Sequence, residues 1–374
     1  MSVNTINERL ARLTGLGTSI WLDQIGRSLI EGGELQRLVD EYSLRGVTSN
    51  PAIFEGAILK SDDYDDEIAQ LARQGASAME IYKEIAVKDV KLATDVLRPV
   101  WSQTNGHDGF VSLEVGPELA RDDTGRTLEE AREYWNWVEA KNLMIKIPGT
   151  PEGLPYIEEA IYEGININIT LLFSVDRYAD VAEAYITGLE RRHAEGLPLN
   201  VHSVASFFVS RVDTVVDKQL ADKGRPDLAG KAAIANARAA YARFKEIFYG
   251  ERFAALKAEG APVQRPLWAS TGTKNPDYSE ILYVETLAGP ETVNTMPMKT
   301  LNAAAESLDI DSVTLDEDFE PLLAELESIG IDMNQVTEDL LDAGIEAFVH
   351  SLDGLLEGIE KQRAEAVAEG STSA

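Results

Sequence analysis

Residues 142–174 read NLMIKIPGTPEGLPYIEEAIYEGININITLLFS, and this stretch decides the fold. Leu143, Met144, Ile145 and Ile147 form a short apolar run of the kind that parallel sheets bury on both faces. The run stops at Pro148-Gly149, and one helical pattern later a second apolar run ends in Asn168 and Thr170. Within the first run sits Lys146. A charged side chain rarely enters such a strand without a partner or a task. An amine deprived of water is more readily neutral, the form that attacks a carbonyl. The segment therefore predicts a strand–helix–strand unit that carries a Schiff-base lysine.

Working outward, similar short runs recur near Ser19–Asp23, Gly46–Ser49, Gly109–Val115, Leu143–Pro148, Asn166–Thr170, Val201–Ser206, Leu267–Ser270 and Val293–Met296. Helical periodicity lies between them, as in Glu34–Tyr42, Leu128–Val138, Tyr178–Arg192, Phe207–Asp222 and Tyr278–Leu287. Eight strands alternating with helices predict an α/β chain closed into a (β/α)₈ TIM barrel. A doubly wound sheet is the alternative, but no Gly-rich dinucleotide loop supports it. The whole chain, 1–374, is read as one barrel domain with two helical additions. One is an insertion at about 62–97, and the other an acidic C-terminal extension at about 316–369 with Gly330 as a helix stop. Residues 370–374 are expected to fray.

The chain is 44% hydrophobic, so it can bury a substantial core, and it has no cysteine, which removes disulfides and thiolate chemistry. Its formal charge of −30 argues against nucleic acid, which a polyanion repels. The segment MSVNTINERLARL lacks the pattern of a signal peptide, and no apolar run approaches the roughly 20 residues of a membrane helix. A soluble, cytoplasmic protein without membrane partners is expected, acting as a monomer or homodimer. Beyond Lys299 the only lysine or arginine residues are Lys361 and Arg363, and that stretch is read as a solvated helical surface.

In a barrel of this type the chemistry gathers at the C-terminal strand ends. Asp23, Thr48, Ser49, Asn50, Glu114, Lys146, Asn168, Thr170, Ser206, Ser270 and Thr271 all fall there. Singly, each has a plain reading. Asp23 would be a cap or turn residue and Asn50-Pro51 a turn, while Thr170 and Ser206 would be polar groups bonded to backbone. Lys146 would be one half of a buried ion pair with Asp23 or Glu114. Together they make a catalytic constellation of acid, lysine, acid, amide and hydroxyl. The histidines at 107, 193, 202 and 350 show no metal-ligand spacing.

Carried by SIWLDQIGRSLI, GVTSNPAIFEGAI, FVSLEVGPELA, NLMIKIPGTPEGL, NINITLLFS, SVASFFVSRVD, WASTGTKNP and VNTMP, the chain from about Ser19 to Pro297 resembles the transaldolases. The resemblance implies transfer of a dihydroxyacetone unit from sedoheptulose 7-phosphate to glyceraldehyde 3-phosphate, giving erythrose 4-phosphate and fructose 6-phosphate in the non-oxidative pentose phosphate pathway. It implies sugar-phosphate substrates and neither metal nor organic cofactor, because the protonated imine is the electron sink. By motif, Lys146 would form the Schiff base and Asp23 would be the general acid/base. Glu114 and Thr170 would hold the proton-relaying water, and Asn50 and Asn168 would bind hydroxyls. Ser206, Arg211 and Lys274 would bind phosphate, although some relatives resemble one another in carrying arginine where this chain has Lys274.

Two other readings stay open: fructose 6-phosphate aldolase-type cleavage, and a barrel that binds sugar phosphates without catalysis. Transaldolases resemble one another in having phenylalanine at the position of Phe208, and the sister aldolases in having tyrosine. A phenyl ring offers no hydroxyl to position a hydrolytic water.

Overall fold

A computed structural model describes residues 5–372. Thr18–Leu22 (β1), Leu44–Val47 (β2), Phe110–Glu114 (β3), Leu143–Pro148 (β4), Ile167–Leu172 (β5), Ser203–Phe208 (β6), Arg265–Ala269 (β7) and Thr292–Met296 (β8) close into a barrel in chain order. Every neighbouring pair is parallel, including β1 with β8. Seven of the strands are buried along their whole length, and β2 departs from this only at Arg45. That explains their near-continuous apolar sequence, since barrel strands pack against side chains inside and helices outside.

The N-terminal face of the barrel is closed by a buried polar plug. Asp108 accepts a hydrogen bond from Trp21 Nε1 (3.0 Å), accepts another from the Ser19 hydroxyl, and pairs with Arg265 at 3.3 Å. This fixes the Trp21 indole, which lies over the backbone of Gly46 in β2. A Cβ at Gly46 would stand 2.4 Å from indole ring carbons.

Two sequence expectations are corrected here. Phe207 and Phe208 end β6 and do not begin the following helix, Val209–Asp222. Phe207 is held against Tyr178 and Trp268, a setting that favours an extended aromatic residue. Tyr278–Leu287 is helical only at Leu282–Glu285. The rest is a loop, anchored where the Tyr278 hydroxyl donates to Asp217, while the Tyr283 hydroxyl of the short helix donates to Asp213. The gap before β7 also holds the long helix Ala232–Phe248.

The insertion contains the helices Asp65–Arg73 and Ala78–Gln103, the second opened by a reciprocal Ser77–Glu80 capping box. The C-terminal extension contains Glu320–Ser328, a turn at Gly330 with φ +77°, and a 40-residue helix, Met333–Thr372. Positions 370–372, expected to fray, belong to that helix, and 373–374 lie outside the described residues. The extension is not simply a solvated surface. Its acidic residues face outward, but Leu341, Phe348, Leu352, Leu355 and Ile359 form a buried stripe at helical spacing. The stripe runs past the helix Pro51–Leu59, where Gly358 lets the Leu59 side chain come close, and on over the barrel mouth.

Gly46→Ala should force the methyl into an indole that cannot move without breaking its bond to Asp108. A stability loss of about 1–3 kcal/mol is expected in urea denaturation; an unchanged midpoint would show that the indole is free to shift.

Candidate active site

Strand register assembles the centre of the site. Glu114 of β3 is the partner of Lys146 in β4, and Lys146 is the partner of Asn168 in β5. Register partners in a parallel sheet point to the same face, so all three side chains enter the barrel. Lys146 Nζ lies 3.0 Å from Glu114 Oε2 and donates to the Ser49 carbonyl at 3.0 Å. Both residues are almost inaccessible, Lys146 at 3% and Glu114 at 4%. The buried ion pair of the plain reading is therefore present, with Glu114 as the partner.

The Asn168 amide is oriented from both ends. It donates to Ser112 Oγ (3.0 Å), and its oxygen accepts from the Ser206 hydroxyl (2.7 Å). The Ser206 proton is thus engaged inside the barrel. Two other buried oxygens, Glu114 Oε1 and Thr170 Oγ1, have no hydrogen-bond partner among the described residues. Beyond Thr170 the pairing of β5 with β6 shifts register, and Leu171 adopts a left-handed conformation at φ +58°. Such strain at a non-glycine residue persists only where surrounding packing imposes it.

Asp23 stands just beyond β1, its amide bonded to the Met296 carbonyl. Its carboxylate accepts from Thr48 Oγ1 at 2.6 Å, and Thr48 in turn contacts Thr295 Oγ1 at 2.7 Å. Although an edge of Asp23 reaches the cavity, burial of the carboxyl lifts its pKa above the usual carboxylate value. The Thr48 hydroxyl and the charges of Lys146 and Lys274 oppose that shift. Burial also raises Glu114, against the attraction of Lys146 and with a small addition from Asp23. Two carboxyls more disposed to hold protons than free ones therefore flank one amine, an arrangement suited to proton transfer.

The mouth encloses about 190 Å³. Of the ten residues tied to the family resemblance, seven line it: Asp23, Asn50, Lys146, Ser206, Phe208, Arg211 and Lys274, joined by Thr48 and Ser270 from the other strand ends. Glu114, Asn168 and Thr170 are buried behind that lining. Asn50 also serves as the N-cap of Pro51–Leu59, accepting from Ile53 N at 3.0 Å, so its turn role and its place in the cavity coexist. Arg211 follows the end of β6 by three residues. Its guanidinium sits 5.3 Å from the Phe208 ring centroid, and burial pushes its pKa down. Lys274 is exposed at the rim.

Sequence reading missed Thr295, which steadies the Thr48–Asp23 contact, and Phe348, which reaches the cavity from the C-terminal helix. It also missed the Ser49 carbonyl as a partner of the amine. Thr295 lies in the quoted VNTMP segment, so position alone could have flagged it. Phe348 carries no local signal beyond helical spacing.

The helix that bears Arg211 also holds the loop that bears Lys274. Asp213 accepts from Tyr283 Oη (2.7 Å) and from Ala233 N (2.8 Å). Burial raises its pKa from 3.8 to about 6. A carboxyl raised in the folded state favours folding when protonated. That contribution, up to about 3 kcal/mol, is complete below about pH 4 and lost as pH rises through 6. Asp213→Asn should flatten this part of the stability profile between pH 4 and 7, and an unaltered slope in denaturant titrations would contradict the assignment.

Comparison with known proteins places this geometry in a family. Residues 20–359 match the model of the family described as transaldolase/fructose-6-phosphate aldolase. The chain is 47% identical to the transaldolase of Saccharopolyspora erythraea over 96% of its own length and 98% of that protein. It is equally similar to the transaldolases of Mycobacterium marinum (95% and 97% covered) and Thermobifida fusca (95% and 98%). The chain belongs to the transaldolase/fructose-6-phosphate aldolase family.

Proposed function

We propose that this protein is a transaldolase, transferring a dihydroxyacetone unit from sedoheptulose 7-phosphate to glyceraldehyde 3-phosphate. The observation that carries the reading is the buried Lys146 amine, held between Glu114 and the Ser49 carbonyl with Asp23 in the same cavity. Lys146 attacks the ketose carbonyl as the free amine, and the carbinolamine loses water to form a protonated imine. A water held between Glu114 and Thr170 relays the protons, which gives their unpartnered oxygens a role. Asp23 takes the proton of the substrate hydroxyl next to the breaking C–C bond. The bond's electrons pass into the imine as an enamine, and erythrose 4-phosphate leaves. The enamine then attacks the aldehyde carbon of glyceraldehyde 3-phosphate, Asp23 returns its proton to the new hydroxyl, and hydrolysis of the imine frees fructose 6-phosphate.

Asn50 and the pre-oriented Asn168 bind hydroxyls of the three-carbon unit. Ser206, fixed to Asn168, suits the sugar end of the site, while Arg211 and Lys274 take the phosphate. The reaction belongs in the cytoplasm, a reading supported by the metabolic family and by the lack of any helix, among the described residues, long and apolar enough to cross a membrane.

Borohydride reduction with fructose 6-phosphate should leave a stable adduct on Lys146, located by mass spectrometry. Lys146→Met, which keeps the strand apolar, should lose transfer by roughly 10⁴-fold or more with the fold intact; substantial residual transfer would refute the Schiff-base role.

Fructose 6-phosphate cleavage is the second reading, and Phe208 on the cavity wall bears on it. Phe208→Tyr introduces a hydroxyl able to hold a water. Release of free dihydroxyacetone relative to transfer should rise on the order of tenfold, the effect of one well-placed hydrogen bond. An unchanged ratio would remove Phe208 from the partition between the two outcomes.

A further inference from the structure

The C-terminal helix presents one aromatic side chain to the active-site cavity. Phe348, 4% exposed, has its ring centroid 5.9 Å from the Arg211 guanidinium carbon and 5.9 Å from Lys146 Nζ. It meets the Phe208 ring at 6.2 Å in an edge-on contact, and Phe208 itself lies 5.3 Å from the same guanidinium. One turn earlier stands Gly344. A Cβ there would be 3.5 Å from Arg211 Nη1 and 3.0 Å from Leu171 Cδ2. Residues four apart share a helix face, so Gly344 leaves a gap and Phe348 fills the space beside it.

Arg211 makes no ion pair with any described residue, in a chain of 64 acidic and 34 basic side chains. A carboxylate partner would hold the guanidinium but would occupy the N–H edge that a phosphate needs. Aromatic faces attract the cation through the ring quadrupole and leave that edge free.

We propose that Phe348 is a positioning residue: with Gly344 it holds Arg211 against Phe208, so that the guanidinium presents its N–H edge to the substrate phosphate. The C-terminal helix is thereby part of the phosphate-binding site. This rests on the transfer reading given above, and it predicts that the helix acts on recognition of the phosphate, not on the chemistry at Lys146.

The full-length chain carrying Phe348→Leu tests it, since leucine keeps apolar bulk and removes the ring face. The KM for fructose 6-phosphate and the inhibition constant of inorganic phosphate should both rise about tenfold. By contrast, kcat should change less than about threefold. Trapping of Lys146 by borohydride with dihydroxyacetone, which carries no phosphate, should be unchanged. Phe348→Tyr, which keeps the ring face, should restore phosphate affinity to within about twofold of the parent. Unchanged phosphate affinity in the leucine variant overturns the proposal. So does loss of dihydroxyacetone trapping in step with phosphate affinity, because that would mark a merely structural role. Failure of the parent protein to trap dihydroxyacetone at Lys146 would instead sink the transfer reading, while the phosphate inhibition constants would still report on Phe348.

Discussion

Everything at this site depends on one ammonium or amine group being kept almost inaccessible to solvent inside a barrel. A lone charge at such a depth is strongly disfavoured, and Lys146 is tolerable because Glu114 Oε2 and the Ser49 carbonyl each lie 3.0 Å from its nitrogen. That arrangement depends on register. β3 and β4 pair so that Glu114 faces Lys146, and β4 and β5 pair so that Asn168 faces it from the other side. A slip of one residue would turn every one of these side chains to the outer face. The closed barrel is thus a device for fixing register, since no strand can slide without breaking pairing on both its edges.

The mouth has two builders. Strand ends supply the acid, amine, amide and hydroxyl groups, while the C-terminal helix supplies the roof through Gly344 and Phe348. The same helix reconciles strong acidity with burial. Its outer face carries the carboxylates, and its inner stripe from Leu341 to Ile359 is packed as core. Arg211 and Lys274, neither of them ion-paired to a described residue, provide local positive charge in a molecule of net charge −30. Under the proposed function, an anionic substrate would be drawn to the mouth by these groups and not by the protein's overall field.

The barrel was legible because strands buried on both faces leave an apolar run that few other structures produce, as at Leu143–Pro148. The polar residues that interrupt those runs marked the site for the same reason. What sequence concealed were contacts set by three-dimensional proximity. Periodicity shows that Phe348 lies on a buried face but cannot show that the face covers Lys146, 202 positions earlier in the chain. Nor does it reveal that the Ser206 proton is already engaged by Asn168, or that Phe207 stays extended because Tyr178 and Trp268 pack on it. The loop at 278–287 imitated helical spacing, yet its tyrosines point at Asp213 and Asp217 on a neighbouring helix.

The distribution of partners around the amine bears on why transfer would win over hydrolysis. Polar groups near Lys146 are mostly engaged already: Asn168 at both ends, Ser206 with Asn168, Thr48 with Asp23 and Thr295. Among the described residues closest to the amine, the oxygens without a partner belong to Glu114 and Thr170, behind the cavity lining. On the cavity side, the phenyl ring of Phe208 stands where a tyrosine hydroxyl would otherwise anchor water. Under the proposed transfer, a water molecule would be well held where imine formation requires proton relay and poorly held where it would compete with an incoming aldehyde. The enamine would be preserved by that asymmetry, which depends on which oxygens were left free when the barrel closed.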